Sequence, residues 1–97
     1  MAGLSCAQGV EDQHFKEGME FFKNGNYEEA IDDFQKSWAS NPNVADTYFY
    51  EGSAYAAIGS LDNALSDMNK AIAIDPKYTK AYDLRAKILD RIKAAKA

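Results

Sequence analysis

The chain has 97 residues, of which 46% are hydrophobic and 27% are charged, a balance that predicts one globular domain rather than a disordered chain. A single Cys and a single His exclude a disulfide framework and a cysteine- or histidine-rich metal site, so neither a metal nor another cofactor is expected. The net charge of -4 argues against a nucleic-acid partner, and the lack of a long apolar run or a secretory signal predicts a cytoplasmic protein without membrane contact.

Residues 1–10 show no periodicity that predicts a helix or a strand. Three interpretations of this lead stay open: a disordered segment, a remnant of the expressed sequence, or a short helix against a groove. Cys6 lies in this lead without a basic neighbour that would lower its pKa, so it is expected to be a free, reduced thiol.

An internal repeat follows the lead. Residues 11–44 align with residues 45–78 without a gap, and ten positions are identical, among them Gly18 and Gly52. A repeat of this length predicts one supersecondary unit per copy, stacked on the next. We therefore divide the chain into a lead (1–10), two repeats (11–44 and 45–78) and a C-terminal helix (79–97).

The first unit carries the pattern of two helices. Phe15, Met19 and Phe22 have helical apolar spacing and precede the turn sequence Asn-Gly-Asn at residues 24–26. A second apolar stripe then runs up to Pro42, where a helix is expected to end. In that second helix Trp38 is expected to pack against the next unit.

The second unit repeats this order, and a fifth helix follows from about Tyr78. The fifth helix is expected to place Tyr82, Ala86, Leu89 and Ile92 on one face. Residues 77–97 carry seven cations and two acids, a net charge of +5, whereas residues 1–76 carry -9. The cations either interact with the helix dipole or attract an acidic partner segment.

The remaining polar residues offer no site for chemistry. His14 is expected to pack half-buried in the first unit, because neither Asp12 nor Glu17 is predicted to face it. The acid pairs Glu28-Glu29 and Asp32-Asp33 fall in the first turns of a helix, where the dipole favours negative charge, so both are expected to be solvated.

The two units resemble the tetratricopeptide repeat family. Its signature of spaced aromatic, small and proline residues is matched in the first unit by Gly18, Phe21, Ala30, Phe34 and Pro42. The chain departs from the family at His14, Glu17, Ser37 and Glu51. The resemblance implies an all-α fold, a right-handed α-α superhelix of two helix hairpins and a C-terminal capping helix.

The resemblance also implies a function. Members of the family are as a rule not enzymes, and the first helix of each pair lines a concave groove that holds a peptide or a helix of a partner protein. The residues expected to face that groove are Asp12, Phe15, Lys16, Met19, Phe22, Lys23, Asp46, Phe49, Tyr50, Ser53, Ala56, Lys80, Asp83, Leu84, Lys87 and Arg91. The function expected is that of an adaptor or scaffold. The alternatives are self-assembly through the same surfaces, as a homodimer or in a longer array, and cover of the groove by the chain itself.

Some family members bind chaperone C-termini through a carboxylate clamp of Lys, Asn, Asn, Lys and Arg. At the corresponding positions this chain has Phe15, Met19, Tyr50, Lys80 and Leu84, of which only Lys80 matches. A carboxylate held there would lack its charge-assisted hydrogen bonds. The sequence therefore predicts that chaperone tails do not bind.

Overall fold

The computed structural model describes the backbone of residues 2–96 and the side chains of residues 13–96, and this part of the chain is entirely helical apart from its turns. The helices are α1 (Ala2–Lys23), α2 (Tyr27–Ser40), α3 (Ala45–Ala57), α4 (Leu61–Ile74) and α5 (Thr79–Lys96). None of the helices in these residues is long and apolar enough to cross a lipid bilayer.

Helix α1 begins at Ala2, inside the lead for which the sequence predicted no element. The expectations for Cys6 and Asp12 fall outside the residues whose side chains are described. The division of the chain at residues 10, 44 and 78 stays a prediction.

The helices pack in chain order. Helices α1 and α2 form one hairpin and α3 and α4 a second, α2 packs on α3, and α4 packs on α5. Helix α3 also touches both α1 and α5, so the first helices of successive units lie side by side. The predicted all-α architecture of two hairpins and a fifth helix is thereby confirmed.

The turn inside each hairpin is closed by a glycine in the left-handed region. Gly25 has φ 81° and Gly59 has φ 83°. At the first turn the Asn26 N–H donates to the Phe21 carbonyl at 2.8 Å and the Gly25 N–H to the Phe22 carbonyl at 3.2 Å. These are the two bonds of a Schellman motif, and both recur at the second turn, as the duplicated turn sequence predicts.

The hairpins are tight because a glycine lies at each crossing. A Cβ atom built on Gly18 would lie 2.7 Å from the ring of Phe34, and one built on Gly52 would lie 2.9 Å from the Cβ of Asp67. No side chain fits at such distances without moving a neighbour. The hydrophobic core lies between the packed helices. Its residues without solvent exposure include Ala30, Phe34, Ala64, Met68, Ala71, Ala81 and Ile88.

The apolar face expected for α5 is not covered. Tyr82 is 39% exposed and Leu89 is 44% exposed, whereas Ile88 is fully buried. In the first two units the corresponding face of the first helix is covered by the second helix of its own unit. Helix α5 is followed by no such helix within residues 2–96, so it packs on α4 through its other side.

Candidate partner-binding groove

Four aromatic side chains of α1 and α3 form one contact group around Tyr50. The ring centroid of Tyr50 lies 6.1 Å from Phe15, 5.8 Å from Phe22 and 5.1 Å from Phe49. We call Phe15, Phe22, Phe49 and Tyr50 the aromatic cluster. All four rings are half-buried, so part of each remains in contact with water.

A buried ring supports the aromatic cluster from below. Phe34 of α2 has no solvent exposure, and its centroid lies 6.4 Å from Tyr50 and 5.8 Å from Phe15. The Tyr50 contact is stacked and the Phe15 contact is tilted, and aromatic pairs of this kind add stability beyond the area that they bury. The cluster is therefore held in place by the core of the first hairpin.

Tyr78, which was not among the residues expected at the groove, extends the aromatic cluster. Its ring stacks on Phe49 with centroids 5.2 Å apart, and its hydroxyl donates to the carboxylate of Asp46. Burial, followed by the contacts with Asp46, raises the pKa of Tyr78 far above its usual value. An aromatic residue at the repeat position where the first unit has Val44 was the signal that could have found it.

Six further residues expected at the groove divide into two groups. Met19, Ser53 and Leu84 are half-buried. Lys16, Lys80 and Lys87 are exposed. The structure thus brings the four rings together, while the lysines project into solvent. The Ser53 hydroxyl already donates to the Phe49 carbonyl at 2.8 Å within α3.

The expectation that Ala56 faces the groove is wrong. Ala56 is only 6% exposed, and its carbonyl accepts a hydrogen bond of 3.1 Å from the guanidinium of Arg91. Helix α5 lies beside this end of α3, and its arginine is a second donor to the Ala56 carbonyl, which also accepts from the Gly59 N–H at 3.1 Å. The helical spacing alone could not show how close α5 lies.

A pair of buried acids lies on the side of α3 that faces away from the aromatic cluster. Glu51 is 2% exposed and Asp67 of α4 is 3% exposed. The indole Nε1 of Trp38 donates to both carboxylate oxygens of Glu51 at 3.2 Å. Burial first, and then the hydrogen bond and the charge of Glu51, raise the pKa of Asp67 to about 9. Near neutral pH Asp67 is therefore protonated and shares its proton with Glu51.

Trp38 joins the two hairpins, as expected. Its ring stacks on Tyr48 with centroids 6.0 Å apart. The ammonium of Lys70 lies 5.8 Å from the Trp38 ring and 5.6 Å from the Tyr48 ring. This contact is made between α2 and α3, so it fixes one repeat against the next.

The first unit contains a related cluster that the sequence analysis did not predict. Donor atoms of His14, Glu17 and Asp33 lie within 4.8 Å of one another. Glu17 does face His14, because residues three apart on a helix are neighbours. Asp33 is 7% exposed and not solvated, which corrects the expectation, whereas Asp32 is exposed as predicted.

The match to a protein family can now be stated. A family model described as Tetratricopeptide repeat matches residues 15–79. The chain belongs to the tetratricopeptide repeat family. No curated protein matches the sequence at a significant level.

Solved structures of the same family show the same superhelix and several hold peptides. The first tetratricopeptide domain of Spaghetti (RPAP3), bound to the HSP90 peptide SRMEEVD, is 33% identical, with a TM-score of 0.78 over 80% of this chain. This chain spans 62% of that one. The TPR2B domain of yeast Sti1 in its Hsp70 complex is 27% identical, with a TM-score of 0.84 over 87% of this chain, and this chain covers 67% of that one. The second tetratricopeptide domain of human RPAP3, in complex with the HSP70 peptide SGPTIEEVD, is 28% identical. Its TM-score is 0.81 over 93% of this chain, and this chain covers 78% of that one.

Proposed function

We propose that this tetratricopeptide repeat chain is a non-catalytic adaptor that binds an extended peptide or a helix of a partner protein over the aromatic cluster. The observation that carries the proposal is the group of half-exposed rings on α1 and α3, fixed from below by Phe34. Related domains bind peptides, which supports a module of this kind. A cytoplasmic location stays a prediction.

The chemistry of the cluster sets the partner that it favours. Half-buried aromatic rings bind apolar side chains with little loss of conformational entropy, because the rings are already ordered. Lys16, Lys80 and Lys87 are exposed, and at the groove positions expected for them they would attract acidic residues. The preferred ligand is therefore a segment with apolar anchors and flanking acids.

The same side chains disfavour a chaperone tail. Phe15, Met19, Tyr50 and Leu84 occupy four of the five clamp positions, and only Tyr50 among them carries a polar group. A C-terminal carboxylate placed against them would lose water without gaining paired donors, which is costly. We therefore expect no binding of the peptide SRMEEVD in a calorimetric titration, and micromolar binding that is lost in K80A would overturn this part of the proposal.

The main experiment selects ligands without assuming a partner. A displayed library of random peptides is selected on the purified chain, and the affinity of the strongest peptide is measured for the wild type, F49A and Y82A. We expect apolar anchors in the selected peptides and a loss of at least about tenfold in F49A, in line with interface anchors. Y82A removes an aromatic ring that lies outside the cluster and is more exposed than Phe49, and it is expected to bind as the wild type does. Equal affinity of F49A and the wild type would refute the groove assignment.

A second candidate function is self-association through the uncovered face of α5. Exposed Leu89 lines a hollow of about 480 Å³ together with Ala86, Ile92 and Lys93. Exposed apolar surface of this kind favours a partner helix. Light scattering over a range of concentrations should show a dimer that L89K converts to monomer, while F49A leaves it unchanged. A constant monomer mass would rule this candidate out.

A further inference from the structure

The two repeats carry the same pair of acids at the same positions. Glu17 and Asp33 of the first unit correspond to Glu51 and Asp67 of the second, 34 residues later. In the second unit both acids are buried and the Trp38 indole donates to Glu51. In the first unit only one of the two acids is buried: Glu17 is exposed, whereas Asp33 is buried.

The first unit also replaces a phenol by an imidazole. His14 occupies the position of Tyr48, and its Nδ1 atom is buried without a hydrogen-bond partner. A buried polar atom without a partner is costly, so it indicates a missing ligand or donor. The imidazole lies with the carboxylates of Glu17 and Asp33, with one donor atom from each within 4.8 Å of the others.

The carboxylates are available to a cation. Gln13 donates to the Oε2 atom of Glu17 at 2.7 Å, which orients this carboxylate from the previous turn of α1 and leaves its second oxygen free. Burial first, and then the charge of Glu17, raise the pKa of Asp33, whereas Lys36 and His14 lower it, so the Glu17 carboxylate repels the ionised form of Asp33. A positive ion would relieve that repulsion.

We propose that His14, Glu17 and Asp33 form a binding site for a divalent transition-metal ion of the zinc class. One imidazole nitrogen and two carboxylate oxygens suit zinc, whereas calcium and magnesium prefer oxygen ligands alone. Zinc bonds of about 2.0–2.2 Å place tetrahedral donors about 3.3 Å apart, so the side chains need to close by at most about 1.5 Å on binding. Exposed Glu17 has the freedom to make that movement, and water completes the coordination.

The ion would join the two helices of the first hairpin. His14 and Glu17 belong to α1 and Asp33 belongs to α2. A metal bound across both helices stabilises the folded chain by an amount that grows with the logarithm of the metal concentration once it exceeds the dissociation constant. The site thus makes the stability of the first repeat depend on metal, which the second repeat, with its sealed acid pair, does not share.

The test is a zinc titration of the full chain with a chromophoric chelator as competitor. The background is C6S, because a thiol is itself a zinc ligand. We expect one zinc per chain and a loss of affinity of at least about tenfold in both H14Q and D33N. The matched control is D32N, which removes the adjacent but exposed acid of α2 and is expected to keep the affinity of the background.

A second readout does not depend on a site variant. The chain has one histidine, so its imidazole gives a single set of NMR signals. Zinc should shift these signals and raise the melting temperature, and magnesium at the same concentration should do neither. The proposal would be overturned by an absence of zinc binding or by an unmoved imidazole signal. It would also be overturned if H14Q and D33N bound zinc with the same affinity as the C6S background.

Discussion

Replacement of Asp67 by asparagine should make the folded chain more stable at alkaline pH. Asp67 lies between α3 and α4, 3% exposed, with Glu51 as its nearest charge. Its pKa is raised to about 9, mainly by burial. The variant D67N keeps the shape and a hydrogen-bond donor for Glu51, and it removes the titrating proton.

The sign and size of the effect follow from linkage. The folded chain holds the Asp67 proton up to about pH 9, whereas the unfolded chain releases it near the ordinary value of 3.8. Between these values each rise of one pH unit lowers the free energy of unfolding of the wild type by up to about 1.4 kcal/mol relative to D67N. From pH 6 to pH 8 the difference between the two proteins should therefore grow by about 2–3 kcal/mol.

The assay is urea denaturation followed by far-ultraviolet circular dichroism at several pH values between 6 and 8. Helical signal is preferable to fluorescence because Trp38 itself contacts Glu51. D62N, which changes an exposed acid on the same helix, should run parallel to the wild type. If the curves of D67N and the wild type are parallel as well, Asp67 is already ionised in the folded chain and the shared-proton interpretation is refuted.

Three further substitutions test the packing, each by the change in urea midpoint at constant pH. G52A should destabilise the chain by about 1–3 kcal/mol, because its Cβ would lie 2.9 Å from that of Asp67, and an unchanged midpoint would show that the hairpin relaxes freely. W38F keeps a ring on Tyr48 but removes the donor to Glu51, which should cost about 1–3 kcal/mol, and a neutral result would mean that water replaces the indole. G25A meets no neighbouring atom, so a loss of about 1–2 kcal/mol there would measure the backbone cost of φ 81° alone, and a gain would contradict the Schellman assignment.

The 34-residue period predicted the architecture because the helices, the turn between them and the stacking of successive units all recur with it. A repeat of 34 residues with helical apolar spacing, a glycine turn in the middle and a proline near the end favours a pair of helices per unit, stacked on the next. The resemblance to the family implied that the first helices share a face, and the contacts among Phe15, Phe22 and Tyr50 agree with that placement.

Predictions that depended on distances between helices were less successful. Asp33 was expected in solvent because its place in the first turns suits the dipole, but α1 covers it. Ala56 was expected in the groove, but Arg91 reaches it from α5. Tyr78 was counted only as the start of a helix, although the chain path after Pro76 brings it onto Phe49. None of these contacts is encoded by the residue spacing of a single helix.

The duplicated acids show how burial decides the chemistry of one sequence motif. In the second repeat both carboxyl groups are sealed between helices, so the least costly way to remove their repulsion is to retain a proton. In the first repeat Glu17 is open to solvent, and the Nδ1 atom of His14, buried without a hydrogen-bond partner, adds an imidazole to the two carboxylates. The same two acids, 34 residues apart, therefore favour a proton in one unit and a metal ion in the other.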